Sequence, residues 1–354
     1  MSKFLTAKYE RLDPYTPGEQ PKERKYIKLN TNESPFPPSK TARELAAAEL
    51  ERLMLYSDPE CRTICDALAE AYGVSSDEVI ATNGSDEVLN FAFMAYCDEN
   101  TPAVFADITY GFYKVFANLN GLPTRTVPLR EDFTINIDDY IATEGTVFIA
   151  NPNAPTGILL PRSEIERLLL ANPDRIVVID EAYVDFGGES AIPLIKKYPN
   201  LLVTGTFSKS RSMAGARLGF GIASREIISD LTRIRYSTNP YNVNRMTMAA
   251  GVGALKDVEY FRENCEKIVK NREWTCCELA RLGFEFTDSK ANFIFAKSDK
   301  IGGEELYLAL KDAGILVRHF SAPRICEYNR ITVGSAEEMQ ALVDKITEIL
   351  EKKK

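Results

Sequence analysis

The chain has 354 residues, 45% apolar and 27% charged, which is long enough for two domains and apolar enough to bury a large core. Lys+Arg is 43 and Asp+Glu is 51, a net charge of −8 that argues against a general nucleic-acid binder. A single histidine, His319, sets aside a Ser-His-Asp triad and a histidine-rich zinc site, and seven scattered cysteines form neither a disulfide framework nor a C-x-x-C pair.

From the start, residues Met1 to Glu10 carry no apolar core of signal-peptide length, and no stretch approaches the roughly 18 apolar residues of a membrane helix. A soluble, cytoplasmic protein with reduced thiols, no membrane or nucleic-acid partner and no metal is expected. Pro14, Pro17, Pro21, Pro35, Pro37 and Pro38 fix φ and remove amide donors, so residues 1–40 read as an extended arm. From Thr41 the spacing of Leu45, Leu50, Leu53 and Met54 predicts a helix.

An alternation then begins. Val79-Ile80-Ala81 reads as a strand, followed by a helix bearing Val88, Leu89 and Phe91. Ala103-Val104-Phe105 is the next strand and Tyr110 to Leu119 the next helix. Thr146 to Ile149, Ile176 to Ile179, Leu201 to Val203 and Leu218 to Phe220 continue the strands, with a helix from Arg162 to Leu170. Near-continuous apolar runs fit strands buried on both faces, so an α/β domain with a mainly parallel sheet and helices on both faces is expected over 41–250. A long helix from Val258 to Arg281, short strands at Phe293, Ile315 and Ile331, and a last helix from Ala336 predict a smaller α+β domain over 251–354. The arm is expected to pack on that domain or on a partner, and the Lys352–Lys354 tail reads as a solvated helix end.

In open α/β sheets, ligands bind beyond the carboxyl ends of the strands. After the first strand come Gly84, Ser85 and Asp86, which open a helix. Free N–H groups and the helix dipole can make this an anion site, although Ser85 taken alone reads first as a plain N-cap. After Ile179 come Asp180 and Tyr183. A buried carboxylate there needs a partner, and a cationic ring nitrogen is one. After Val203 come Thr206, Ser208 and Lys209, then Arg217. A desolvated lysine has a lowered pKa and can form a Schiff base, while the hydroxyls and the guanidinium suit a phosphate. Tyr110 alone reads as a core aromatic, and Asn151 to Gly157 as a turn. Taken in series, these residues supply a phosphate cradle, a carboxylate, a lysine and an aromatic plate. Those are the needs of pyridoxal 5'-phosphate.

The same motifs resemble the fold-type-I aminotransferases of the aspartate aminotransferase superfamily, and within it the histidinol-phosphate aminotransferases. The resemblance rests on Leu12-Asp13-Pro14-Tyr15, Leu29-Asn30-Thr31-Asn32-Glu33, Tyr56-Ser57-Asp58-Pro59, Asn83 to Glu87, Thr109-Tyr110-Gly111, Asp180 to Tyr183, Thr206 to Lys209, Arg217-Leu218-Gly219 and Val317 to Phe320 with Arg330 to Gly334. It implies that Lys209 bonds the cofactor aldehyde and shuttles a proton. Asp180 pairs with the ring nitrogen, Tyr183 donates to the ring's phenolic oxygen, and Tyr110 stacks on the ring. Gly84, Ser85, Asp86, Thr206, Ser208 and Arg217 hold the phosphate. Tyr56 reaches the cofactor of a partner subunit, so a homodimer is implied. Arg330 clamps a carboxylate, with Arg318, Tyr15 and Asn32 completing the substrate pocket. The family's asparagine before the second loop proline is Ala154 here, so Asn153 is expected to take over its contact with the ring oxygen. The implied activity is transamination between L-histidinol phosphate and 2-oxoglutarate, in histidine biosynthesis. Aromatic-amino-acid aminotransferase and threonine-phosphate decarboxylase are the alternatives, since they share the same cofactor residues. A non-catalytic regulator on this fold is disfavoured by the short, proline-rich arm.

Overall fold

The computed structural model describes residues 2–10, 12–21 and 24–353; Met1 and Lys354 lie outside them. The arm holds a one-turn helix α1 (Ala7–Glu10) and a two-residue strand β1 (Ile27–Lys28), followed by α2 (Lys40–Ala48) and α3 (Arg62–Tyr72). The alternating part runs β2 (Val79–Asn83), α4 (Ser85–Tyr96), β3 (Ala103–Ala106), α5 (Phe112–Asn120), β4 (Thr124–Val127), α6 (Ile137–Ile141), β5 (Thr146–Ala150), α7 (Arg162–Ala171), β6 (Val177–Asp180), β7 (Leu201–Thr206) and β8 (Leu218–Ala223). Helices α8 (Arg225–Thr238), α9 (Arg245–Lys256) and α10 (Val258–Leu282) come next. The chain closes with β9 (Phe284–Phe286), β10 (Phe293–Ser298), α11 (Gly303–Asp312), β11 (Ile315–Leu316), β12 (Arg318–His319), β13 (Asn329–Thr332) and α12 (Ala336–Glu351).

Seven strands form one sheet in the order β2-β8-β7-β6-β5-β3-β4. All pairs are parallel except the two made by β8, which runs antiparallel to β2 and β7. Strands β5, β6 and β8 are buried along their whole length, because apolar clusters pack on both faces of the sheet. This is the mainly parallel α/β sheet expected from the continuous apolar runs. Its parallel strands end on one edge, so the loops after β3, β5, β6 and β7 converge there. The register sets Ala150, Asp180 and Thr204 side by side at that edge.

A second, antiparallel sheet has the order β12-β13-β10-β9, and its core includes apolar residues of α10, α11 and α12. Strand β1 pairs in parallel with β11, so the arm is hydrogen-bonded to this C-terminal part. A smaller cluster, with Phe133 and Ile108 on one side and Phe295 and Ile325 on the other, joins the two parts. Among the described residues no helix is long and apolar enough to cross a membrane.

Local differences from the sequence expectations have physical causes. The helix begun near Thr41 stops at Ala48; Leu50, Leu53 and Met54 then lie in a 3-10 turn and loop, 52%, 52% and 81% exposed, rather than on a buried face. Strand β4, Thr-Arg-Thr-Val, has no apolar run because it is a sheet edge with three exposed residues. Helix α9 carries glycines that sequence reading discounts. Gly253 is required there because a Cβ would collide with the Thr41–Ala42 backbone of α2.

Candidate active site

The converging loops enclose a cavity of about 400 Å³. Lys209 enters it from the turn after β7, and its Nζ donates to the Thr31 carbonyl at 3.2 Å. Burial, assisted by the Arg330 charge, pushes its pKa down to about 8, against the opposing pull of Glu33 and Asp86. The amine lies 5.9 Å from the centre of the Tyr183 ring.

Asp180 ends β6 and is 4% exposed. Burial pushes its pKa up to about 6, while hydrogen bonds from Tyr113 and Thr204 hold it down. The Tyr113 hydroxyl donates to Oδ2 at 3.1 Å and the Thr204 hydroxyl to Oδ1 at 3.3 Å. Tyr183 accepts from Asn32 Nδ2 at 3.0 Å. Burial raises its phenol above the ordinary value, while Arg330 and Asn32 oppose that rise.

The anion cradle is built where β2, β7 and β8 meet. Gly84 has φ +76°, and a Cβ there would fall on the Arg217 guanidinium. A Cβ on Gly219 would fall on the Gly84–Ser85 backbone, so both glycines permit a close approach. Ser85 opens α4 with its free N–H groups. Thr206 Oγ1 donates to Ser208 Oγ at 3.0 Å, and Arg217 Nη1 lies 3.4 Å from the same oxygen. Asp86 takes Arg217 Nη2 at 3.1 Å on one oxygen and the Tyr110 hydroxyl at 2.7 Å on the other. Asp86 thus orients Arg217 and Tyr110 at the rim of the cradle. Burial and the Asp86 charge hold the Tyr110 phenol well above its usual value.

Arg330 and Arg318 line the same cavity. Arg330 Nη2 donates to the Asn30 carbonyl at 3.1 Å, its buried Nε has no partner among the described residues, and its guanidinium lies over Phe293 and Phe320 at 5.4 and 5.8 Å. Burial lowers its pKa from the ordinary arginine value. Arg318 makes long contacts, 3.3 and 3.5 Å, to the carbonyls of Thr16 and Pro17, and its guanidinium lies 5.7 Å from the Phe320 ring centre. Tyr15 lines the cavity from the arm, its ring centre 4.5 Å from that of Phe112. Glu33 also lines it. Burial would lift its carboxyl, but bonds from Lys28 and Thr31 outweigh that and leave it below the usual range.

Thus Tyr15, Asn32, Ser85, Asp86, Tyr110, Asp180, Tyr183, Thr206, Ser208, Lys209, Arg217, Arg318 and Arg330 surround one cavity, with Gly84 beneath the cradle. Two expected residues do not. The Asn153 side chain is spent between its own loop and the loop after β3: Nδ2 donates to Ile108 and Thr156, Oδ1 accepts from Thr109, and Ala154 faces the cavity instead. Its expected contact with a cofactor ring is therefore corrected to a loop-bracing role. Tyr56 lies outside its own chain's cavity, 79% exposed and stacked on Tyr241 at 4.6 Å. Asn32 lines the cavity, but its side chain is committed to Tyr183 and Thr332, so it acts on the pocket through Tyr183. Sequence reasoning missed Tyr113 and Thr204. Tyr113 falls within the helix expected over Tyr110 to Leu119, and its spacing three residues after Tyr110 is the signal that could have found it.

The residues present fit pyridoxal phosphate. The cradle offers backbone N–H, hydroxyl and guanidinium donors, and the buried Asp180 lacks a cationic partner among the described residues. No cluster of metal-ligating residues occurs among the described residues.

The comparisons agree with this geometry. The family described as "Aminotransferase class I and II" matches residues 24–346. The chain is 48% identical to a histidinol-phosphate aminotransferase of Brachyspira hyodysenteriae, with 99% of each chain covered. It is 47% identical to the Clostridium acetobutylicum enzyme of that name, covering 99% of this chain and all of the relative. A crystal structure of a putative histidinol-phosphate aminotransferase from Erwinia carotovora atroseptica superposes with TM-score 0.86 at 26% identity, covering 92% of this chain and 96% of the other. The Sinorhizobium meliloti histidinol-phosphate aminotransferase, solved in complex with pyridoxal-5'-phosphate, shares the fold with TM-score 0.85 at 24% identity, covering 93% and 92%. On the family match over most of its length, and on its identity to these relatives, the chain belongs to the class I and II aminotransferases.

Proposed function

We propose that the chain is a pyridoxal-phosphate-dependent transaminase acting between L-histidinol phosphate with 2-oxoglutarate and imidazole-acetol phosphate with L-glutamate. The observation that carries the reading is the placement of the Lys209 amine, lowered to about 8, in one cavity with Asp180 and the anion cradle. The relatives' names supply the substrate.

Pyridoxal phosphate, when bound, supplies an aldehyde carbon to receive the amino group and a ring that accepts electrons from the substrate Cα. Lys209 is the cavity amine that would take a proton from the substrate Cα and deliver it to the carbon that receives the amino group. Asp180 supplies the negative charge that keeps a ring nitrogen protonated. Ser85, Thr206, Ser208 and Arg217 anchor the phosphate, and Tyr183 offers its hydroxyl to the ring's oxygen. Arg330 and Arg318 face the cavity as cations, and both substrates bring an anion: the α-carboxylate of glutamate or the phosphate of histidinol phosphate. One arginine pair then serves both half-reactions.

The working unit is proposed to be a homodimer. Leu50, Leu53, Met54, Leu55 and Tyr56 are exposed apolar residues close together in the chain, which supports burial against a second copy, where Tyr56 would reach the partner's cofactor. We assign residues 1–40 to the arm, 41–250 to the cofactor-binding domain and 251–354 to the small domain. All seven cysteines are free, which supports a cytoplasmic location.

Initial rates with histidinol phosphate, phenylalanine, tyrosine and threonine phosphate test the activity. Histidinol phosphate is expected to give the highest kcat/KM with 2-oxoglutarate. A higher value for an aromatic amino acid, or carbon dioxide release from threonine phosphate, would replace this substrate assignment.

A further inference from the structure

Tyr113 lies in the first turn of α5 and is fully buried. Its ring is caged by Phe93, Phe105, Tyr110 and Phe148, with centroids 6.3, 5.9, 5.7 and 6.0 Å away. Such a cage gives a phenol hydroxyl no polar company, and leaving it unpaired is costly. The hydroxyl points instead at Asp180 Oδ2, 3.1 Å away. On the other side, Thr204 of β7, also fully buried, donates to Oδ1 at 3.3 Å. Register explains this second contact, since Asp180 and Thr204 are Cα partners of adjacent parallel strands. An ionised carboxylate can only accept, and donors of this kind favour its charged form. Two hydroxyls from different elements therefore pin one carboxylate, which still lines the cavity.

We infer that Tyr113 and Thr204 are positioning residues that keep the Asp180 carboxylate anionic and fixed in orientation for a cationic ring nitrogen. The inference rests on the reading that the cavity takes pyridoxal phosphate. It separates a tyrosine from a phenylalanine at a site where packing alone would accept either.

The test compares the unaltered protein with Tyr113→Phe, Thr204→Val and Thr204→Ser, each loaded with pyridoxal phosphate carrying nitrogen-15 in its ring. Three quantities are read: the ring-nitrogen chemical shift, the cofactor dissociation constant, and the melting temperature of the cofactor-free protein. In Tyr113→Phe the carboxylate becomes more basic and keeps more of the shared proton. The nitrogen signal is then expected to move toward its unprotonated value, with the dissociation constant about tenfold higher. The cofactor-free melting temperature is expected to change little, because phenylalanine fills the same cage. Thr204→Val is expected to shift both ligand readouts in the same direction, and Thr204→Ser to restore them. If Tyr113→Phe folds poorly, the Thr204 pair decides the matter. Unchanged nitrogen signal and affinity in the variants would reduce both residues to space filling and leave the cofactor reading intact. An unaltered protein that takes up no pyridoxal phosphate would overturn both.

Discussion

Asn32 Nδ2 donates to the Tyr183 hydroxyl at 3.0 Å while its Oδ1 accepts the Thr332 hydroxyl at 3.0 Å. The arm is therefore bonded at one residue both to the loop after β6 and to β13 of the C-terminal sheet. Asn32 has φ +56°, a left-handed conformation that asparagine tolerates better than most residues. Asn32→Ala removes both bonds and keeps the unfavourable φ. We expect kcat/KM to fall about tenfold, the scale of one hydrogen bond lost around a buried hydroxyl. Steady-state kinetics, with melting temperatures to separate instability from lost function, check it.

Arg330 is a half-buried cation of the cavity, and its buried Nε has no partner among the described residues. Arg330→Ala is expected to raise KM for glutamate and for histidinol phosphate together, by about a hundredfold, as for a charged hydrogen-bonded pair left half-made. Arg330→Lys keeps the charge but loses the planar fork, so it is expected to recover only part of the loss. Loss of glutamate turnover alone, with normal turnover of the phosphate substrate, would refute shared use of the guanidinium.

Burial puts the Lys209 amine at about 8, against an ordinary value of 10.5. Uptake of pyridoxal phosphate by the cofactor-free protein needs the neutral amine. The rate is expected to climb about tenfold per pH unit below 8 and to level off above it. Stopped-flow absorbance measures this directly. The stability consequence has a definite sign. Between about 8 and 10.5 the unfolded lysine still holds its proton and the folded one has lost it, so this group's contribution to stability rises with pH in that window. Below it, the buried charge is a full cost. Cofactor-free Lys209→Met is thus expected to melt above the unaltered protein at pH 7, with the gap narrowing toward pH 10.5.

The thiols offer an independent check of packing. Cys65, Cys97 and Cys265 are buried and pushed up to about 12, and Cys61 up to about 11, in each case chiefly by burial. Cys277 is exposed. Alkylation of the native protein at pH 8 is expected to label Cys277 first and to leave those four untouched until unfolding. Peptide mapping after timed quenching reads the order.

The parts of the fold that were legible in the sequence share one property: their signal is local. Continuous apolar runs at Thr146 to Ile149 and Ile176 to Ile179 marked strands buried on both faces, and Asp180, directly after the second run, marked the site edge. What stayed hidden depends on contacts far apart in the chain. The loops around Asn153 and Ala154 could be placed by motif, but which residue faces the cavity is decided by Thr109, 44 positions away, which claims the Asn153 carbonyl. Tyr113 reads as core from its apolar neighbours, and its polar role appears only when α5 is laid against β6. Strand β4 and helix α9 escaped because an exposed edge strand and a close helix crossing choose residues for reasons other than periodicity.

Lys209, held in the cavity with Asp180 and the Ser85–Arg217 cradle, is expected to bond the cofactor covalently. Borohydride reduction of the protein with pyridoxal phosphate, followed by peptide mass mapping, measures this most directly. One pyridoxyl group per chain is expected, on the peptide containing Lys209, and its loss in Lys209→Met. A label on another lysine at equal yield, or no label at all, would contradict it.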